Sequence, residues 1–153
     1  MLFRSAGQVR DEALRAQLTA AAGDHRVRLD LQFQPPERLS AWLAAADVVV
    51  LPYSDVLNSG TALLALSADR PVVVPGRGAM PELQQAVGRE WVHTYTGSLD
   101  DALRTALTWG VAEERAAAPD LTPFAWPRIA AQTEVALRRV IATPRGRRRR
   151  ARA

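Results

Sequence analysis

Two stretches of the chain carry residue types that suit the binding of an anion. The first is a polar loop at the expected start of a helix, and it contains Tyr53, Asn58, Ser59, Gly60 and Thr61. The first amide groups of a helix lack partners within it, and the helix dipole favours negative charge there. Serine and threonine hydroxyls add further donors at the same point. The pattern therefore predicts a phosphate or diphosphate site at this helix N-terminus.

The second stretch follows an apolar run and ends at Glu82, in the first turn of another expected helix. Gly76 and Gly78 allow a close approach of the backbone to a ligand, and the guanidinium between them, Arg77, suits a phosphate. Local alternatives stay open for both stretches. Asn-Ser-Gly is also typical of a turn and a helix N-cap, a solvated arginine needs no ligand, and a first-turn glutamate can simply complement the helix dipole.

Other kinds of reactive site find little support in the sequence. The chain has no cysteine, which excludes disulfides, thiolate metal sites and a cysteine nucleophile. No metal-ligand cluster and no Ser/His/Asp arrangement can be placed, and His93 is interpreted as a packed strand residue. We predict no metal and no cofactor, and we assign no catalytic residue.

The net charge of +4 belongs to the C-terminal tail. All 20 basic residues are arginine, and six of them fall in the last nine positions. The rest of the chain sets 14 arginines against 16 acids, so no nucleic-acid partner is expected. We predict that residues 143–153 form a disordered tail that could adhere to an anionic membrane surface. A solvated tail without a dedicated partner is the alternative.

The elements that must position these residues alternate between strands and helices. A length of 153 residues suits one domain, predicted over residues 1–142. Strands are predicted at 27–33, 48–51, 71–74 and 91–94, with a further one within 1–9, and helices at 11–22, 36–46, 61–68, 81–87 and 98–109 and from residue 126 onward. This alternation indicates an α/β fold with a mostly parallel sheet, whose ligands bind at the carboxyl ends of the strands.

Five sequence motifs occur in a characteristic order. They are ADVVVLPY (46–53), NSGTALLALS (58–67), RPVVVP (70–75), GAMPEL (78–83) and FAW (124–126) followed by Ile129-Ala130. This order resembles the C-terminal, donor-binding domain of GT-B-fold glycosyltransferases of the group 1 type, which use nucleotide sugars. The resemblance spans about residues 25–142.

The resemblance implies a Rossmann-like three-layer domain equivalent to the C-terminal half of a GT-B fold. Its donor would be a UDP- or GDP-sugar, and the sugar would pass to an acceptor. The residues expected to bind the donor are those of the two stretches above, namely Tyr53, Asn58, Ser59, Gly60, Thr61, Arg77 and Glu82. The expected location is the cytoplasm, with peripheral association at the inner face of the membrane.

Two departures from the family pattern bear on function. Many retaining members carry two glutamates eight positions apart, and the corresponding residues here are Val56 and Leu64. The chain also lacks a counterpart of the acceptor domain. We therefore expect a truncated enzyme or a subunit that another domain completes in trans. The alternative is a non-catalytic α/β binding module that kept the fold and lost the chemistry.

Overall fold

The computed structural model describes residues 3–23, 26–54, 59–109 and 116–142. The chain divides into two compact units, Met1–Asp47 and Val48–Ala153. Parallel strands alternate with helices in both, so the predicted α/β, Rossmann-like class is confirmed. The prediction of one domain over residues 1–142 stays a prediction, and the predicted tail lies outside the described residues.

The first unit is a two-stranded parallel sheet with two helices. Its elements are β1 (Phe3–Ala6), α1 (Glu12–Ala21), β2 (Val27–Asp30) and α2 (Pro36–Ala44). The strands pair from Phe3↔Val27 to Ala6↔Asp30. The side chain of Asp11 caps α1 by accepting hydrogen bonds from the amides of Ala13 at 2.8 Å and Leu14 at 3.1 Å.

The second unit contains the longer sheet. Its elements are β3 (Val49–Val50), α3 (Gly60–Ser67), β4 (Val72–Pro75), α4 (Met80–Val87), β5 (Val92–Tyr95), α5 (Leu99–Trp109), a 3-10 turn (Thr122–Phe124) and α6 (Trp126–Ala142). β4 lies between β3 and β5, and both pairings are parallel. Residues 71–75 are all buried, as expected for a central parallel strand covered on both faces.

The helices of the second unit differ in how much they bury. α3 is apolar around most of its circumference, and Ala62, Ala65 and Leu66 in it have no exposed surface. α5 places Ala102 and Ala106 against Val73 of the central strand. By contrast, α6 contains no buried residue. Among the described residues, no helix is long and apolar enough to cross a membrane.

The strand predicted over residues 27–33 is wrong beyond Asp30. β1 ends at Ala6, and the last hydrogen bond along this edge joins the Gly7 amide to the Asp30 carbonyl at 3.0 Å. Without a partner strand the chain leaves the sheet, and two prolines then start α2. The apolar residue that extended the predicted strand, Phe33, is exposed.

Candidate functional site

The first predicted stretch begins where β3 leaves the sheet. The Leu51 amide donates to the Val73 carbonyl at 2.9 Å, and in that register the Leu51 carbonyl would next accept from residue 75. That residue is Pro75, which has no N–H. The Leu51 carbonyl instead accepts from the Tyr53 amide at 2.9 Å, across Pro52. Pro75 therefore ends the pairing and lets the chain turn at Tyr53.

Tyr53 and Ser59 are joined at the start of α3. The Tyr53 Oη and Ser59 Oγ atoms lie 2.7 Å apart, and the Ala62 amide donates to Ser59 Oγ at 3.0 Å. A serine hydroxyl accepts two hydrogen bonds and donates one. When Tyr53 is the donor, both acceptor positions of Ser59 are filled and its own proton is left for a ligand oxygen. Ser59 is only 9% exposed, so the N-cap is fixed in place.

A cavity of about 280 Å³ brings residues of both predicted stretches together. Its lining residues are Ser59, Leu63, Ala79, Glu82, Leu83, Ala86, Pro123 and Phe124. Ser59 precedes the helix that follows β3, and Glu82 lies in the helix that follows β4. The segments that follow the carboxyl ends of β3 and β4 therefore meet at one cavity, as expected for parallel strands.

The remaining residues of the first stretch lie at the exposed start of α3. Gly60 and Thr61 form its first turn, and both are exposed. A Cβ atom added at Gly60 would meet no atom within 4 Å, so the space above this turn is open. Asn58 and Val56 lie outside the described residues.

Arg77 lies in the loop between β4 and α4, and its predicted contact with the donor stays a prediction. Its guanidinium donates to the Ser54 carbonyl at 3.0 Å, and Arg77 is not among the residues that line the cavity. Gly78, with a φ of 55°, takes the left-handed conformation that glycine tolerates best and so helps the chain to turn into α4. Arg77 therefore links the loop after β4 to the loop after β3.

Sequence reasoning missed most of the apolar lining of the cavity. The sequence pattern identifies Leu63 and Leu83 only as helix residues, and Pro123 and Phe124 come from a turn forty residues further along the chain. The signal that could have found Phe124 is the FAW motif, which was used for the resemblance and not for the site. The Arg77–Ser54 hydrogen bond could not be predicted from residue types because its acceptor is a backbone carbonyl, which every residue has.

The charge at the cavity comes from one carboxylate. Glu82 is the one charged residue among those that line the cavity. His93, on β5, has a pKa below its ordinary value because burial disfavours the charged imidazolium. Within the described ranges, no group of three or more His, Cys, Asp or Glu side chains could hold a metal ion.

Comparison with known proteins gives two relatives. Both carry the name GDP-mannose:glycolipid 4-beta-D-mannosyltransferase, one from Xanthomonas campestris pv. campestris and one from its strain ATCC 33913. Each is 41% identical to this chain over 112 residues, which is 72% of this chain and 32% of the relative. No family model and no solved structure matches the chain. Over those 112 residues the chain is similar to these glycosyltransferases, and it spans about a third of their length.

Proposed function

We propose that the Val48–Ala153 unit is the donor-binding part of a nucleotide-sugar glycosyltransferase. One observation carries the proposal: Ser59 at the start of α3 and Glu82 in α4 line the same cavity. The cavity thus has a hydroxyl and a carboxylate in its lining, and it lies beside the N-terminus of α3, whose first-turn amides and dipole are outside that lining. A nucleotide sugar has a group to match each, because it contains a diphosphate and several sugar hydroxyls.

The diphosphate is placed at the first turn of α3. The amide groups of Gly60 and Thr61 belong to the exposed first turn of α3, where amides lack partners within the helix, and the Ser59 hydroxyl adds a donor beside them. The Glu82 carboxylate would repel a phosphate, and it suits a hydroxyl of the ribose or of the transferred sugar instead. At about 280 Å³ the cavity is at the small end for ligand sites. We infer that it holds one ring of the donor beside Glu82, and that the diphosphate lies outside it, at the exposed first turn of α3.

The donor base and the acceptor are inferred from the relatives. Their name specifies GDP-mannose as donor and a glycolipid as acceptor. We propose a GDP-sugar in preference to a UDP-sugar for this chain, with a lipid-linked acceptor. Transfer would require an acceptor-binding domain or subunit, which about two thirds of each relative could supply. The helix N-terminus would then stabilise the diphosphate as it leaves the sugar.

A non-catalytic binding module is the second candidate, and Leu64 is the residue that favours it. Leu64 lies in α3, where many retaining family members have a glutamate, and it is 42% exposed. A leucine cannot accept a proton or stabilise a cationic transition state. Such a module would keep the fold and would show no stabilisation by a nucleotide diphosphate.

The experiment is a thermal-shift titration of the 153-residue chain with GDP, GDP-mannose, UDP and ADP. A ligand at 100 times its dissociation constant stabilises the fold by about 2.7 kcal/mol, which is readily seen. We expect a selective shift with GDP and GDP-mannose. A protein that melts cooperatively and shifts with none of the four contradicts donor binding.

Two glycine variants test where the ligand binds. Gly60→Val should keep the fold, because a Cβ there meets no atom within 4 Å, and should lose the GDP shift by blocking the first turn of α3. Gly97→Val is the matched control, since a Cβ at Gly97 also meets no atom within 4 Å, and the position lies between β5 and α5. If Gly60→Val retains the full shift, the proposed site is wrong.

A further inference from the structure

The Tyr53 hydroxyl lies against the N-cap of α3 without lining the cavity. Its Oη atom is 2.7 Å from Ser59 Oγ, and the Ala62 amide donates to the same Oγ atom at 3.0 Å. Ser59 lines the cavity and Tyr53 does not. The hydroxyl that Ser59 presents at this place is thus in direct contact with that of Tyr53.

The acidity of the two hydroxyls decides which of them donates. A phenol is more acidic than an aliphatic alcohol, so the Tyr53 hydroxyl is the stronger hydrogen-bond donor and the Ser59 hydroxyl the better acceptor. Serine also has room to accept, because its oxygen has two acceptor positions and the Ala62 amide fills one of them. Tyr53 is therefore the donor, and Ser59 accepts the hydrogen bond.

This arrangement leaves one direction for the proton of Ser59. A serine oxygen has four tetrahedral directions, and here the bond to Cβ, the Ala62 amide and the Tyr53 hydroxyl occupy three of them. The Ser59 proton must take the fourth, and it is donated to no other residue in the described part of the chain. Accepting two hydrogen bonds also polarises the hydroxyl and makes it a stronger donor.

The backbone on both sides of Tyr53 is held by hydrogen bonds. The Tyr53 amide donates to the Leu51 carbonyl at 2.9 Å, and the carbonyl of Ser54, the next residue, accepts from the Arg77 guanidinium at 3.0 Å. Ser59 itself is buried. Both hydroxyls of the pair are attached to fixed parts of the chain, so the direction of the Ser59 proton is set before a ligand binds.

We propose that Tyr53 is a positioning residue whose hydroxyl directs the Ser59 proton toward a phosphate oxygen of the donor. The inference rests on the proposed function, which places the diphosphate at the first turn of α3 beside Ser59. A charged phosphate oxygen can only accept hydrogen bonds, so it gains most from a donor whose direction is already set. A sugar hydroxyl can both donate and accept, and it would not need Ser59 to be restricted to donation. Tyr53 thereby acts on the nucleotide sugar through Ser59.

The test is a double-mutant cycle on the dissociation constant of GDP, measured by isothermal titration calorimetry with the 153-residue chain. Tyr53→Phe removes one hydroxyl and frees the second acceptor position of Ser59, so we expect GDP to bind about threefold to fivefold more weakly. Ser59→Ala removes the donor itself and should weaken binding about tenfold or more. In the Ser59→Ala background, Tyr53→Phe should have no further effect, because the group through which it acts is gone.

Tyr95→Phe is the matched control. The chain has two tyrosines, and Tyr95, on β5, is half-buried like Tyr53 but is not among the residues that line the cavity. We expect this variant to bind GDP as the wild type does. Thermal melts check the fold of each variant. If Ser59→Ala is unfolded at the titration temperature, Ser59→Gly takes its place in the cycle, because glycine is a better N-cap than alanine.

Three results would overturn the inference. An unchanged GDP dissociation constant in Tyr53→Phe would remove the role of Tyr53 and leave the proposed function intact. An equal loss on Tyr53→Phe in the Ser59→Ala background would show that Tyr53 acts on the donor directly or through its loop, and not through Ser59. A folded wild-type chain that does not bind GDP would contradict the proposed function, and this inference with it.

Discussion

The two units of the chain are built from the same elements but bury them to different extents. In Val48–Ala153 the central strand β4 is wholly buried, and α3, α4 and α5 contribute further buried residues. Among the described residues of Met1–Asp47, Leu43 alone is buried, and α1 has no buried residue. The described part of the first unit therefore has the strand and helix order of the fold but few buried side chains.

The first unit relies more on polar contacts. Arg38 and Asp30 form an ion pair with a 2.6 Å separation, and the Arg15 guanidinium donates to the Val9 carbonyl at 2.9 Å. Apolar burial contributes more free energy per residue than exposed ion pairs do. We therefore expect mutations of equal size to cost more in the second unit, where the candidate site lies.

Leucine truncations should give the largest contrast. Leu66→Ala removes a side chain with no exposed surface from α3 and should cost about 2–5 kcal/mol of unfolding free energy. Leu14→Ala removes the same atoms from α1, where the side chain is 45% exposed, and should cost less than about 1 kcal/mol. Urea denaturation of both variants measures the difference, and equal losses would contradict the comparison.

The two helix caps should differ by a smaller amount. Ser59→Ala leaves the Ala62 amide and the Tyr53 hydroxyl without their partner in a buried place, so we expect a loss of about 2 kcal/mol. Asp11→Ala removes a cap that water can replace and should cost about 1 kcal/mol or less. Chemical denaturation again reports both, and a larger loss for Asp11→Ala would reverse the order.

For ion pairs we expect the larger loss of stability in the first unit. Arg38→Ala should cost about 1 kcal/mol, because it removes the ion-pair partner of an Asp30 side chain that is only 12% exposed. Arg138→Ala breaks a pair of the same length on the open surface of α6 and should cost about 0.3–0.5 kcal/mol. Melting at low and high salt checks this. Salt should screen the Arg138 pair more strongly because it is the more exposed of the two, and an equal or greater salt sensitivity at Arg38 would contradict this difference.

A pH dependence of the second unit should give the smallest effect. Burial lowers the pKa of His93, so the unfolded chain binds a proton at a pH where the folded chain does not. Stability from this residue is complete above its ordinary pKa near 6.5 and falls as the pH drops through the lowered value. His93→Gln should flatten the melting temperature between pH 7.5 and 5. A variant that keeps the full acid loss would assign that loss to other groups.

Strands β3 and β4 of the second unit could be predicted from the sequence because they are short apolar runs with proline at their ends. Val72–Pro75 differs by one residue from the predicted strand at 71–74. The end of β2 could not be predicted, since it depends on the length of its partner β1. Phe33 looked like a continuation of the strand because its alternation is correct, and only the missing partner shows that it is not.

In the candidate site, too, the features set by neighbouring residues could be predicted, and those set by distant segments could not. The start of α3 could be predicted because Ser59 caps it through local hydrogen bonds. The shared cavity of Ser59 and Glu82 required the parallel order of β3 and β4, which the sequence only implied. The place of Phe124 in that cavity, and the contact of Arg77 with a backbone carbonyl, depend on distant chain segments and have no local pattern.

The burial of α3 has a consequence for how tightly a ligand could be held. The body of this helix is fixed by residues with no exposed surface, so its first turn is already oriented before anything binds. A ligand there does not need to order the helix, and this avoids part of the entropy that association normally costs. Affinity at this end of α3 would then depend mainly on how well a ligand replaces water at the first amide groups of the helix. Chemical changes to the ligand's phosphates should therefore alter the dissociation rate more than the association rate.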